Sequence, residues 1–350
     1  MNTIIAGQTI NVIKPVAKPP VRLLICDDSI FMRMAIRTIC EDHPQITIIG
    51  EAKNGAEVIE AVRTLAPDVI TMDVDMPGID GIAATETISA EYDVPIIILS
   101  ALTEKRSALA QHTLDAGAVD VIWKSASLMD IDIGGIADTI VEKILLWGTR
   151  PHQEQSLPEN EVVEREEHDI ILIALGTGGP HAVGSCLGIL PPDTPPIIVA
   201  ANIPSACMEG FMRYLQRVTG QKTSEAEEGQ FLQGNCIYVI SSEMRLGVQK
   251  TDTGLCFNRE PPQASTENWA SSWRLQASIA ATAEKPMVLL LSGALTDPRA
   301  VKTMSSRAVK VVVQNRLSCV DTAGGEIALT HMPSAIELTP ASIQKMLGVS

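Results

Sequence analysis

From residue 21 onward, short apolar runs alternate with amphipathic stretches in two successive series, and a polar, acidic, proline-interrupted segment at 148–168 divides them. The first series has apolar runs at 22–26, 47–52, 69–73, 95–99 and 120–122, with helical patterns starting near Ser29, Gly55, Gly81, Thr103 and Asp132. The second has apolar runs at 169–174, 197–201, 236–240, 287–291 and 309–314. Strands that alternate with helices form right-handed βαβ units, and such units assemble parallel sheets with helices on both faces. The expectation is therefore an α/β protein of two doubly wound parallel-sheet domains: a tail at 1–20, a first domain at 21–147, a linker at 148–168 and a second domain at 169–350. A length of 350 residues suits two cores better than one.

Charge narrows the function classes. A net charge of -15 argues against nucleic acid as a partner, because clustered Lys and Arg supply most of that affinity, and no basic recognition-helix segment follows the first domain. The seven cysteines are scattered, without a Cys-x-x-Cys pair or zinc-finger histidines, and read as small buried apolar residues. No apolar run has the length of a signal peptide or a membrane span, so the expectation is a cytoplasmic protein without membrane insertion.

In an open parallel sheet, ligands collect at the carboxyl ends of the strands. In the first domain those positions hold Asp27 and Asp28, Asp73, Ser100 and Lys124. Crowded carboxylates repel one another unless a cation sits among them, and an all-oxygen donor set suits magnesium better than zinc. With charge screened in that way, Asp73 can act as a nucleophile toward a phosphoryl group. Lys124 would then balance the phosphoryl charge, and Ser100 would donate a hydrogen bond that exists only after phosphorylation.

These residues carry a resemblance. The segments CDDS at 26–29, DVDMPGIDG at 73–81, LSA at 99–101 and WKS at 123–125 are similar to the receiver domain of bacterial response regulators, over residues 21–147. That resemblance implies a flavodoxin-like fold and phosphorylation of Asp73 by a histidine kinase. It also implies Mg2+ held by Asp27, Asp28 and Asp73 with the backbone carbonyl of Asp75. Two positions depart from the family: Ser125 stands where a proline usually follows the lysine, and Val121 where the switch aromatic usually stands. A valine has no ring to rotate, so the readout would rest on Ser100 and loop movement.

The second domain opens with a Gly-rich strand-to-helix turn, IALGTGGP at 173–180. Such a turn presents backbone N–H groups to an anion, but His181 stands where a dinucleotide fingerprint needs its third glycine. Four segments resemble the catalytic domain of the chemotaxis protein-glutamate methylesterase: GTGGP at 176–180, NIP at 202–204, SEAEEGQFLQGNCIYVI at 224–240 and SGALTD at 292–297. The family hydrolyses methyl esters of chemoreceptor glutamates with a Ser nucleophile, a His base and an orienting Asp. At the matching positions this chain has Gly176, Asn202 and Asp297. Gly176 has no side chain with which to attack, and Asn202 cannot exchange a proton as an imidazole does. The neighbours Thr177, His181 and Cys186 do not have the required geometry by analogy, and His331-Met332-Pro333 repeats the letters of the family's base motif after the fifth strand of the domain rather than the second.

The leading expectation is a phosphorelay response regulator whose esterase-like domain acts as a binding or regulatory module in chemotaxis-type signalling, with chemoreceptors or other signalling proteins as partners. The alternatives are an active protein-glutamate methylesterase or glutamine deamidase with a displaced nucleophile, a phosphate sink, and nucleotide binding.

Overall fold

The computed structural model describes residues 2–5, 8–11, 19–101, 112–114, 116–124, 133–149, 165–201, 208–241, 244–259, 273–294, 296 and 298–349. Near the N-terminus, β1 (Asn2–Ile5) and β2 (Gln8–Asn11) pair as an antiparallel hairpin where the sequence suggested only a tail. The first domain then runs β3 (Val21–Cys26), α1 (Ile30–Cys40), β4 (Ile46–Ala52), α2 (Gly55–Leu65), β5 (Val69–Asp73), α3 (Gly81–Glu91), β6 (Ile96–Ala101), β7 (Asp120–Lys124) and α4 (Ile133–Gly148). Its five strands are all parallel, in the order β4-β3-β5-β6-β7.

Helix starts follow from side-chain chemistry. Ser29, Asn54 and Asp80 are the N-caps of α1, α2 and α3, and each side-chain oxygen accepts the N–H three residues on. At α2 the cap is reinforced by Glu57, which accepts the Lys53 N–H at 3.0 Å. The continuous apolar character of the strands has a matching cause, since both faces of the sheet are covered. Along β3, Leu24 and Cys26 enter one core cluster, while Leu23 and Ile25 enter the cluster on the opposite face.

The second domain comprises β8 (Ile170–Leu175), α5 (Gly179–Cys186), β9 (Ile197–Ala201), α6 (Met208–Thr219), β10 (Lys222–Glu225), β11 (Cys236–Ile240), β12 (Leu246–Thr251), β13 (Gly254–Arg259), α7 (Trp273–Thr282), β14 (Pro286–Leu290), α8 (Pro298–Ser306), β15 (Lys310–Gln314), α9 (Ala323–His331), β16 (Ile336–Leu338) and α10 (Pro340–Leu347). Seven parallel strands take the order β10-β11-β9-β8-β14-β15-β16, and β12 pairs with β13 as a separate hairpin. The sheet is thus two strands wider than the five apolar runs suggest. The added edges carry little apolar signal: β10 reads KTSE, without a buried residue, and β16 has three residues. Along β8, Ile170, Leu172 and Ala174 face one core cluster and Ile171, Ile173 and Leu175 the other. Among the described residues, no helix is long and apolar enough to cross a membrane.

Candidate functional site

The first site sits where the strand order of the first sheet reverses, between β3 and β5. Asp27 follows β3 and Asp73 ends β5, and they are 1% and 5% exposed. Asp28 and Asp75 are exposed. The Asp27 carboxylate accepts the Ser29 N–H at 2.9 Å, and the Asp73 carboxylate accepts the Asp75 N–H at 3.0 Å. Their charge reaches the neighbouring thiol: burial first, then Asp27 and Asp73, push Cys26 far above the usual range. Ser100, at the end of β6, is 1% exposed. Lys124 ends β7, and its side chain, like the whole of Ser125, lies outside the described residues. Val121 is buried in the cluster beneath α2 and α3, where a switch aromatic was expected to be missing.

The sequence reading missed Arg33. Its Nη1 donates to the Asp27 carbonyl at 2.8 Å and to the Asp28 carbonyl at 3.3 Å, so the turn carrying both carboxylates is clamped from α1. Arg33 and Arg37 also bond to Glu51 on β4. Burial would raise the Glu51 carboxyl, but the Arg37 and Arg33 hydrogen bonds outweigh it and hold that carboxyl below the usual glutamate range. An arginine one helical turn after the acidic pair was the available signal.

A hard divalent cation suits this donor set in chemistry, because Asp27, Asp28, Asp73 and the Asp75 carbonyl offer only oxygen. Two of those carboxylates are buried on adjacent strands, which favours a compensating cation. Among the described residues, no three His, Cys, Asp or Glu side chains are drawn together closely enough to hold a metal.

The second strand-end site forms around β8 and β14, the neighbours at the centre of the second sheet. Here the loops 176–178 and 292–294 meet backbone to backbone. A Cβ on Gly176 would fall on the carbonyl oxygen of Gly293, and a Cβ on Gly293, whose φ is +69°, would fall on the Thr177 nitrogen. Ser292 ties the loops together. Its hydroxyl donates to the Thr177 carbonyl at 2.8 Å and accepts the Val320 and Asp321 N–H groups at 3.1 and 3.2 Å. Its own N–H is taken by the buried Gln314 side chain at 3.0 Å.

Asn202 and Asp297 lie outside the described residues. Thr177 is half-buried at the loop. Cys186 ends α5 on its buried face, fully inaccessible, and burial pushes its thiol up to about 12, so it is not a ready nucleophile. The ring of His181, half-buried, meets the edge of Trp147 at 5.7 Å. In the repeated triplet, His331 ends α9 and Met332 is buried in the core, which gives these letters a packing role. Among the described residues, Cys26, Cys40, Cys186 and Cys256 are buried and Cys236 and Cys319 half-buried.

A buried carboxylate-lined crevice on a five-stranded parallel sheet, followed by a second parallel α/β domain, defines the class of receiver-containing response regulators with an α/β output domain. Comparison with known proteins agrees with the geometry. Residues 23–132 match the response regulator receiver domain, and residues 171–347 match the family described as CheB methylesterase. The chain belongs to the CheB methylesterase family.

Among its relatives, the protein-glutamate methylesterase/protein-glutamine glutaminase of Bacillus subtilis (strain 168) is 28% identical, over 92% of this chain and 97% of its own length. A protein so described from Methanospirillum hungatei JF-1 is 30% identical, over 79% of this chain and 83% of its own. Of solved structures, the response regulator domain of Thermotoga maritima CheB is 36% identical, covering 38% of this chain and 98% of that one, with a TM-score of 0.35.

Proposed function

We propose that this protein is a cytoplasmic response regulator phosphorylated on Asp73 by a histidine kinase, and that its second domain is a binding or regulatory module in chemotaxis-type signalling. The observation that carries the second half is the backbone contact at the vacated nucleophile position. Gly176 brings no nucleophile, and the Gly293 carbonyl occupies the space into which a side chain there would project.

For the first half, the support is the buried pair Asp27 and Asp73 beside an all-oxygen donor set. One Asp73 carboxylate oxygen attacks phosphorus, an O–P bond forms, and the P–N bond to the donor histidine breaks with the electron pair leaving on the imidazole. Magnesium, held by Asp27, Asp28, Asp73 and the Asp75 carbonyl, would neutralise charge on the phosphoryl oxygens. Lys124 would pair with those oxygens, and the Ser100 hydroxyl would donate to one of them. The Arg33 clamp keeps the Asp27–Asp28 turn in register while charge moves through the crevice.

Methyl-ester hydrolysis through a displaced nucleophile finds little support, since Cys186 is sealed in the core with its thiol raised to about 12. Chemoreceptors, the substrates implied for the family, are then partners to be bound. Two assays on one preparation test the proposal: incorporation of phosphate from acetyl phosphate with Mg2+, and release of methanol from methylated chemoreceptor membranes. Phosphorylation without methanol release is expected, and methanol release above background would overturn the second half.

A further inference from the structure

Glu51 lies on β4, the strand at one edge of the receiver sheet, and both of its oxygens are turned to α1. Oε1 accepts the Arg37 Nε at 2.9 Å and Nη2 at 2.6 Å, and Oε2 accepts the Arg33 Nε at 3.1 Å. Arg37 grips one oxygen with two N–H groups, which leaves the other aimed at Arg33. The side chains of Arg33 and Glu51 are 15% and 27% exposed, so solvent ions screen this pair less than they screen a pair on the open surface. Burial raises the Glu51 carboxyl, but the Arg37 and Arg33 hydrogen bonds outweigh it, and the group carries its full charge at neutral pH.

Held in this way, Arg33 turns its Nη1 to main-chain oxygens, the carbonyls of Asp27 and Asp28 at 2.8 and 3.3 Å. A carboxylate is a stronger acceptor for a guanidinium than a carbonyl is, and the same two residues carry carboxylates. An arginine here with no anionic partner of its own would be drawn to those side chains. Its charge would then compete with any cation that they hold. Glu51 supplies the alternative carboxylate and offsets the charge of the arginine.

We propose that Glu51 is a positioning residue for the cation site: it keeps the Arg33 guanidinium on the carbonyls of the acidic turn and away from the carboxylates, and so raises the affinity for Mg2+. This inference rests on the reading of Asp27, Asp28 and Asp73 as the Mg2+ site, and adds to it a control exerted from β4 by a residue outside the donor set. Groups that orient metal ligands without touching the metal commonly change its affinity by roughly ten- to a hundredfold when they are replaced. Glu51 acts through Arg33, so its effect requires the arginine. A merely structural role of the edge strand would not.

Calorimetric titration of the full-length protein with MgCl2 tests this on the wild type, Glu51→Gln, Arg33→Met and the double variant. Gln keeps the shape of Glu51 without its charge, and Met keeps an apolar stem in place of the arginine. Glu51→Gln is expected to weaken Mg2+ binding roughly tenfold. In the Arg33→Met background the same substitution is expected to change the Kd by about twofold or less. An unchanged Kd in Glu51→Gln, or an equal loss in both backgrounds, would overturn the proposal. Should the double variant fail to fold, Glu51→Asp decides: binding tighter than that of Glu51→Gln supports a role through charge, and equal weakening overturns it. Asp73→Asn separates this inference from the reading beneath it. Mg2+ uptake that Asp73→Asn weakens and Glu51→Gln does not would overturn the positioning role alone. Absence of uptake by the wild type would overturn the cation site and this inference with it.

Discussion

At the scale of single residues, the two sites differ in what a substitution can restore or remove. Asp73→Asn keeps the shape of the side chain and removes the attacking charge, so phosphate incorporation from acetyl phosphate is expected to fall to background by mass spectrometry of the intact protein. Chelation of Mg2+ with EDTA is expected to do the same in the wild type. At the second site, Gly176→Ser would supply a hydroxyl, but its Cβ would strike the Gly293 carbonyl. We predict a loss of about 1–3 kcal/mol by chemical denaturation and no gain of ester hydrolysis. Wild-type stability in that variant would show that the two loops separate readily. The absence of a side chain at 176 was legible in the sequence. The filling of its space was not, because Gly293 lies far along the chain and nothing local announces a backbone contact.

At the scale of elements, the apolar runs were a sound guide wherever a strand has both faces covered, as in β3, β5, β8 and β14. They failed for β10 and β16, at the edges of the second sheet, where pairing with a neighbour rather than burial makes the strand. Helix starts were legible from Ser29 and the residues next to Gly55 and Gly81, because capping is local chemistry. Asn54→Ala removes both the cap of α2 and a support for Glu57, and is expected to cost about 1 kcal/mol by denaturant titration without moving Asp73 phosphorylation.

His168, just before β8, offers a pH test at the same scale. Its Nε2 is buried without a partner, and burial holds its pKa below the usual histidine value of 6.5. The folded state therefore favours the neutral ring. Its contribution to stability is present above the unfolded value near 6.5 and is lost as pH falls from there toward the lower folded value. The melting temperature is expected to drop over that acid window, and His168→Gln should flatten that part of the profile. A profile identical to wild type would show that His168 titrates as an exposed histidine does.

For the whole molecule, the sequence revealed two α/β units and left their mutual arrangement open. Asp120 illustrates why. It stands as one charge at the head of an apolar strand, and its partners Lys143, Trp147 and Gly178 are brought to it by α4 and by a different domain. A buried charge that opens a strand was the available signal, and it points to an unknown partner rather than to a named one. With that contact in place, the receiver's β7–α4 edge rests on the strand-end loops of the second domain.

The proposed function joins a receiver that takes up phosphate to a second domain without ester hydrolysis. Methanol release from methylated chemoreceptor membranes, measured in samples in which Asp73 phosphorylation has been confirmed by mass, tests it most directly. The predicted result is release indistinguishable from that of an Asp73→Asn control and of membranes alone. Release that exceeds the membrane background, with or without phosphorylation, would contradict the proposed function and direct the search for a nucleophile to Thr177.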